Sequence, residues 1–184
     1  YPVMKSNHSF DLLSCFPASA EPGKAFTSVT YSNLYFREPE SRADQTRMMS
    51  IVTTGAETGY YVDVFRSRKE KGGDKMHDYF YHNLGQTLTL TTADGSDLNL
   101  QPTEELAFAG AHLYAYSYLY DKKVAATAKD VKATFTIDMK DKDGDDIYMN
   151  LWMKGEPDRE VFTALAPMTE GLSRTPNMPY NIKE

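Results

Sequence analysis

From Tyr60 to Arg68 the chain reads Tyr-Tyr-Val-Asp-Val-Phe-Arg-Ser-Arg, and the same period-two alternation recurs along much of its 184 residues. Successive side chains of a strand point to opposite faces, so this pattern predicts strands with one face more covered than the other. Helical periodicity is hard to find. Strands are predicted over 26–36, 47–54, 60–68, 76–82, 87–92, 113–120, 131–139, 147–154 and 160–164, about nine in all. Turn-forming groups separate them: residues 55–59, Gly72-Gly73, Asp94-Gly95, Asp143-Gly144 and residues 155–157. Asp-Gly pairs favour tight hairpins because both residues tolerate positive φ. Many hairpins without a long helical crossover predict an all-β fold, an antiparallel β-sandwich. Pro167, Pro176 and Pro179 mark an extended C-terminal arm on the surface, and residues 1–184 read as one domain.

Charge and cysteine content narrow the function classes. Twenty basic against 26 acidic residues leave a formal charge of −6, which argues against a general nucleic-acid binder and confines any polyanion affinity to a local patch. The single cysteine, Cys15, rules out an internal disulfide and a Cys-rich zinc site. No apolar run approaches the roughly 20 residues of a membrane-spanning helix, and no basic-then-apolar signal peptide opens the chain. It begins at Tyr1 without an initiating methionine, which points to processing or to excision from a longer protein.

Chemistry-bearing residues concentrate between Tyr61 and Gln86. Two of the four histidines, His77 and His82, lie within six positions of each other. On a regular strand His77, Tyr79 and Tyr81 share one face and Asp78, Phe80 and His82 the other, so the two histidines do not converge on one metal. Asp63 sits between Tyr61 and Phe65 on its own strand. It is read either as a partly solvated acid or as the group that orients a histidine on the next strand. The connector from Arg66 through Arg68, Lys69 and Lys71 to Lys75 is basic enough to meet an acidic sugar, or is simply a solvated hairpin loop. Tyr114, Tyr116, Tyr118 and Tyr120 form an alternating stripe that suits either sugar stacking or the packing of a second sheet. The run from Asp141 to Asp146 is not an EF-hand. With Gly144 as the sixth residue, Met139 falls at the first ligand position and Asn150 at the twelfth. A polar hairpin turn fits better, and neither a Gly-rich phosphate loop nor a serine nucleophile elbow occurs.

Tyr61-Val-Asp-Val-Phe-Arg66, followed by His77-Asp-Tyr-Phe-Tyr-His82 and Gly85-Gln86, resembles the C-terminal β-sandwich of heparinase II/III-type polysaccharide lyases. Arg47-Met-Met-Ser-Ile-Val is similar to the strand that precedes that motif in the family. Leu151-Trp-Met-Lys-Gly-Glu-Pro-Asp-Arg-Glu-Val, with Ala166-Pro167 and Met178-Pro179, is similar to its closing strands. The resemblance implies a larger enzyme, with an upstream α/α toroid, that cleaves uronic-acid-containing polysaccharides by β-elimination in the periplasm or outside the cell. It also implies a structural zinc in the complete enzyme. The family's last zinc histidine stands in a His-x-Tyr setting that matches His77-Asp78-Tyr79, with His82 as the alternative and the remaining ligands upstream of Tyr1. On this resemblance Asp63 and Tyr79 surround the zinc ligand, and Arg66, Arg68 and Lys69 form a rim for an acidic polysaccharide. No catalytic residue falls within the chain, so the fragment alone is expected to be inactive. Phe80-Tyr81-His82 replaces the Asp-Leu-Pro of the oligoalginate lyases, which disfavours alginate. A non-catalytic carbohydrate-binding or structural sandwich, holding glycan through aromatics such as Tyr114, Tyr116 and Trp152, is the competing expectation.

Overall fold

The computed structural model describes residues 9–17, 28–39, 41–73, 77–106, 119–139 and 144–166. Every pairing among its ten described strands is antiparallel. No helix forms among these residues, so none is long and apolar enough to cross a membrane. The all-β, hairpin-built architecture expected from the alternation is therefore the one found. The chain divides into two compact units, one running to Phe80 and the other from Tyr81 onward.

The first unit is a four-stranded meander in sequence order, β1 (Asp11–Phe16), β2 (Val29–Arg37), β3 (Asp44–Thr53) and β4 (Gly59–Arg68). Alternation is cleanest in β3, where Met48, Ser50 and Val52 are half-buried and Arg47, Met49 and Ile51 are exposed. The β3–β4 hairpin closes where the Thr54 and Gly55 amides both donate to the Thr58 carbonyl, at 2.9 and 3.1 Å. This closure fixes the register, with Arg47 opposite Phe65 and Met49 opposite Asp63. β1 had escaped the sequence reading for a physical reason. Its register slips between Leu12 and Ser14, so Leu13 is an inserted residue that breaks the alternation.

The second unit holds two three-stranded sheets, ordered β5-β8-β9 and β10-β7-β6. The strands are β5 (Thr87–Thr92), β6 (Gln101–Pro102), β7 (Tyr120–Ala126), β8 (Val131–Ile137), β9 (Ile147–Met153) and β10 (Glu160–Leu165). The chain passes from the first of these sheets to the second, back again and across once more, as sandwich wiring requires. Val131 and Ala133 of β8 are buried, and the pairing aligns them with Thr92 and Leu90 of β5 and with Met153 and Leu151 of β9. The other face of the same sheet carries threonines, Lys132, Asn150, Tyr148 and Trp152. β6 is two residues long and contains Pro102, which its position at the sheet edge tolerates. β7 was missed because Asp121, Lys122 and Lys123 interrupt its alternation. The predicted strand over 113–120 otherwise lies outside the described residues, as do Tyr114, Tyr116, Tyr118 and the C-terminal arm with Pro167, Pro176 and Pro179.

Two turns secure the second unit. At Thr92–Ser96 the Asp94 carboxylate accepts from the Thr92 hydroxyl and from the Ser96 amide and hydroxyl, which lowers its pKa to about 2. Gly95 takes a φ of 89° there, as an Asp-Gly turn requires. At the other corner Asp130, just before β8, accepts from the Gly155 amide at 2.7 Å and from Lys154 Nζ at 2.9 Å. Arg159 donates to the carbonyls of Lys154 and Lys129, both at 2.6 Å, and the Thr127 amide donates to the Arg159 carbonyl. The β7–β8 and β9–β10 connections are thereby tied together. A Cβ on Gly155 would stand 2.1 Å from the Ala128 carbonyl oxygen and 2.7 Å from a Lys129 backbone carbon, neither of which can swing aside. Gly155→Ala is expected to destabilise the second unit by about 1–3 kcal/mol, the usual cost of overpacking, read as a lowered urea midpoint with an unchanged slope.

Candidate functional site

β3 and β4 are antiparallel neighbours, so Arg47 and Asp63 lie diagonally on one exposed sheet face. The guanidinium meets the carboxylate with two bonds, Nε to Oδ1 at 3.0 Å and Nη2 to Oδ2 at 2.6 Å. Tyr79 Oη donates to the same Oδ2 at 2.7 Å. The phenol ring packs 6.0 Å from Phe65, and the Arg47 guanidinium lies 6.0 Å from the Tyr79 ring centre. Four side chains from β3, β4 and the following segment thus form one cluster around a carboxylate that is 24% exposed.

Two of the residues expected around a common centre, Asp63 and Tyr79, are bonded to each other. Arg47, which completes the cluster, was legible only through the hairpin register. Once the turn is placed at residues 54–58, Arg47 falls diagonally across from Asp63. The strand predicted over 76–82 does not form: residues 77–85 contain no strand. Alternating aromatic and polar residues satisfy the pattern there, yet no described strand pairs with the segment. Side chains hold it instead, Tyr79 through Asp63 and Tyr81 through a ring contact 5.9 Å from Phe135. The face assignment expected of a regular strand therefore does not apply. His77 belongs to the first unit and His82 to the second, and both are exposed.

Arg66 and Arg68 occupy the face of β4 opposite to Asp63. Arg68 stands across from Asp44 and Arg66 across from Thr46, while Arg37 at the end of β2 also pairs in register with Asp44. Asp44 accepts from Tyr35 Oη at 2.6 Å and from Arg37 Nη1 at 3.3 Å. The result is an exposed basic rim of Arg37, Arg66 and Arg68 around one carboxylate, with half-buried Lys69 just beyond the strand end. Lys75 lies outside the described residues. The acidic run is likewise only partly described, but Asp146 accepts from the Met139 amide at 3.1 Å, the behaviour of a hairpin turn.

The electrostatics of the Asp63 cluster define its chemistry. Arg47 holds the Asp63 carboxyl below the ordinary range, against the opposing effect of burial, with a smaller contribution from Tyr79. Burial, and then the bond to the Asp63 anion, push the Tyr79 phenol up to about 12. A phenol that keeps its proton and spends it on a neighbouring carboxylate is not poised to abstract one. The cluster is built to hold the segment that carries His77, not to exchange protons. Among the described residues no three His, Cys, Asp or Glu side chains come together as a metal set.

Over 143 residues, 76% of this chain, the sequence is 33% identical to an endo-acting ulvan lyase of Formosa agariphila. The chain spans 17% of that relative's length. The relationship is therefore with a polysaccharide lyase. No family model and no solved structure matches the chain.

Two measurements test the cluster. Asp63→Ala is expected to cost about 1–2 kcal/mol, less than a fully buried pair because Arg47 remains half-solvated. The folded-state pKa of Asp63 is depressed, so its stabilisation is present above the unfolded value near 4 and fades as pH falls through the folded one. The advantage of wild type over Asp63→Asn in thermal unfolding should shrink on acidification. Tyr79 runs the other way: its raised pKa gives stability that is complete below pH 10 and lost between about 10 and 12. The tyrosinate absorbance difference between wild type and Tyr79→Phe should accordingly rise near pH 12; a rise near 10 would show that Tyr79 is neither buried nor bonded to Asp63 as described.

Proposed function

We propose that this chain is the β-rich, non-catalytic part of a polysaccharide lyase that cleaves a uronic-acid-containing polysaccharide by β-elimination. The observation that carries the reading is the 33% identity to the ulvan lyase over 76% of the chain. A substrate related to the one in that enzyme's name is the first choice. The local geometry supports a binding role in place of a chemical one. β-Elimination requires a base for the proton beside the carboxylate, an acid for the leaving oxygen and stabilisation of the enolate-like intermediate. Tyr79 is unsuited to the first role because its hydroxyl donates to Asp63, whereas the charge of Arg66, Arg68 and Lys69 supports a contact with a sugar carboxylate at the rim.

The catalytic groups are assigned to an α/α toroid of the heparinase II/III type elsewhere in the same protein, acting in the periplasm or outside the cell. The described residues do not themselves fit a zinc ion, since both Asp63 oxygens are engaged by Arg47 and Tyr79. A structural zinc held in part by His77, or by His82 in its place, would draw its other donors from outside this chain, and no step of the reaction is routed through it.

A protein comprising this chain and the toroid should raise unsaturated-uronate absorbance with ulvan, while the 184-residue chain alone should not. Turnover by the chain alone would overturn the division of labour, and silence of the longer protein on ulvan and on other uronate polysaccharides would overturn the lyase reading. His77→Ala in the longer protein should lower its zinc content. Unchanged zinc would move the ligand to His82 or remove it.

A further inference from the structure

The face of the β5-β8-β9 sheet that points away from Val131 and Ala133 combines a row of threonines with large exposed aromatics. In register it presents Thr87, Thr89 and Thr91 on β5, Lys132, Thr134 and Thr136 on β8, and Tyr148, Asn150 and Trp152 on β9. Trp152 is 62% exposed and Tyr148 is 58% exposed. Such large aromatic surface is costly to leave in water, and it lies on a regular, paired strand, not on a loop. Four residue steps along the strand separate the two positions by roughly 14 Å at about 3.4 Å per residue, the reach of a short oligosaccharide and not of one sugar ring. Between them Asn150 Oδ1 accepts from the Thr134 hydroxyl at 2.9 Å, which fixes the amide and leaves its NH₂ group available as a donor.

Charge selects among possible occupants. Lys132 Nζ lies 5.4 Å from the Trp152 ring centre, and among the described residues it has no carboxylate partner. Nearby Lys154 is neutralised by Asp130. Lys132 is therefore the uncompensated cation beside the more exposed ring, in a protein whose net charge is −6. A second protein sheet would bury that ammonium at a cost. A glycan bearing carboxylate or sulfate groups would instead lay its apolar ring face on the aromatics, its hydroxyls on the Thr and Asn row and its anion beside Lys132.

We infer that this face is a binding platform for an anionic polysaccharide, engaged by Trp152, Tyr148 and Lys132 in the second unit. It shares no residue with the Arg37, Arg66 and Arg68 rim and does not depend on cleavage by any part of the protein. Trp152 is the single tryptophan in the sequence, so selectively excited tryptophan fluorescence reports on this face. Titrating the 184-residue chain with a glucuronan oligosaccharide should change that fluorescence saturably, and a neutral glucan oligosaccharide of equal length should bind more weakly. Trp152→Ala and Tyr148→Ala, followed by calorimetry, should each lower affinity about tenfold, as loss of one aromatic anchor does. Trp152→Phe should recover part of the loss. Lys132→Gln should abolish the preference for uronate over glucan. No saturable signal, wild-type affinity in both aromatic variants, or equal binding of the two oligosaccharides by the wild-type chain would each overturn the proposal.

Discussion

Strand register is the constraint on which both surfaces depend. Because side chains alternate, a one-residue slip of β3 against β4 would carry Arg47 to the opposite face from Asp63, removing the carboxylate's principal partner. The same slip would separate Arg68 from Asp44 and dissolve the basic rim. In the second unit the pairing of β8 with β9 sets Lys132 against Trp152 and Thr134 against Asn150. Short polar turns fix these registers more than bulk does. Buried hydrophobic positions among the described residues are Ala43, Val131, Ala133 and Val161, all small or β-branched, so the hydrogen-bonded corners at Asp94 and Asp130 carry much of the alignment.

The Asp63 cluster shows how one carboxylate gives order to a segment without secondary structure. Residues 77–80 have no ladder to join, and the chain beyond them enters a different unit. A bidentate guanidinium engages both oxygens of Asp63 and keeps the carboxylate ionised, while the phenol of Tyr79 takes a second acceptor direction on Oδ2. The acid stays charged because the base beside it is permanent, and the phenol stays neutral because the acid is charged. Neither changes protonation state near neutral pH, so the cluster keeps its hydrogen bonds there.

Much of this was legible in the sequence, and the failures have identifiable causes. Alternation located β3, β4, β5, β8, β9 and β10 closely because each keeps one face apolar over several residues. It missed β1, where a bulge inserts Leu13, and β7, where three consecutive charged residues mask the pattern. It overcalled 76–82 because period two is necessary for a half-buried strand but does not supply a partner. The Asp63–Tyr79 association was accessible as a nearby acid and phenol. Arg47 was not, since its contact depends on a register that only the closed hairpin defines. Trp152 stood out as a possible glycan contact, but its pairing with Lys132 and the threonine row is a property of three strands at once.

The two aromatic environments suggest why the units differ in what they can offer a ligand. Tyr79 commits its hydroxyl to Asp63, and its ring packs against Phe65. Tyr148 and Trp152 keep their ring faces largely in water, while the sheet beneath them is held by ladders on both sides of β8. A ligand that stacks on them need not displace a hydrogen bond or order a loop, and the entropic cost of binding is correspondingly small. A polymer substrate gains from such a surface even when its scissile bond lies elsewhere, because holding one stretch of the chain raises the effective concentration of the next at any site within reach. Preorganised retention, not proton transfer, is the contribution that a rigid antiparallel sheet is physically suited to make.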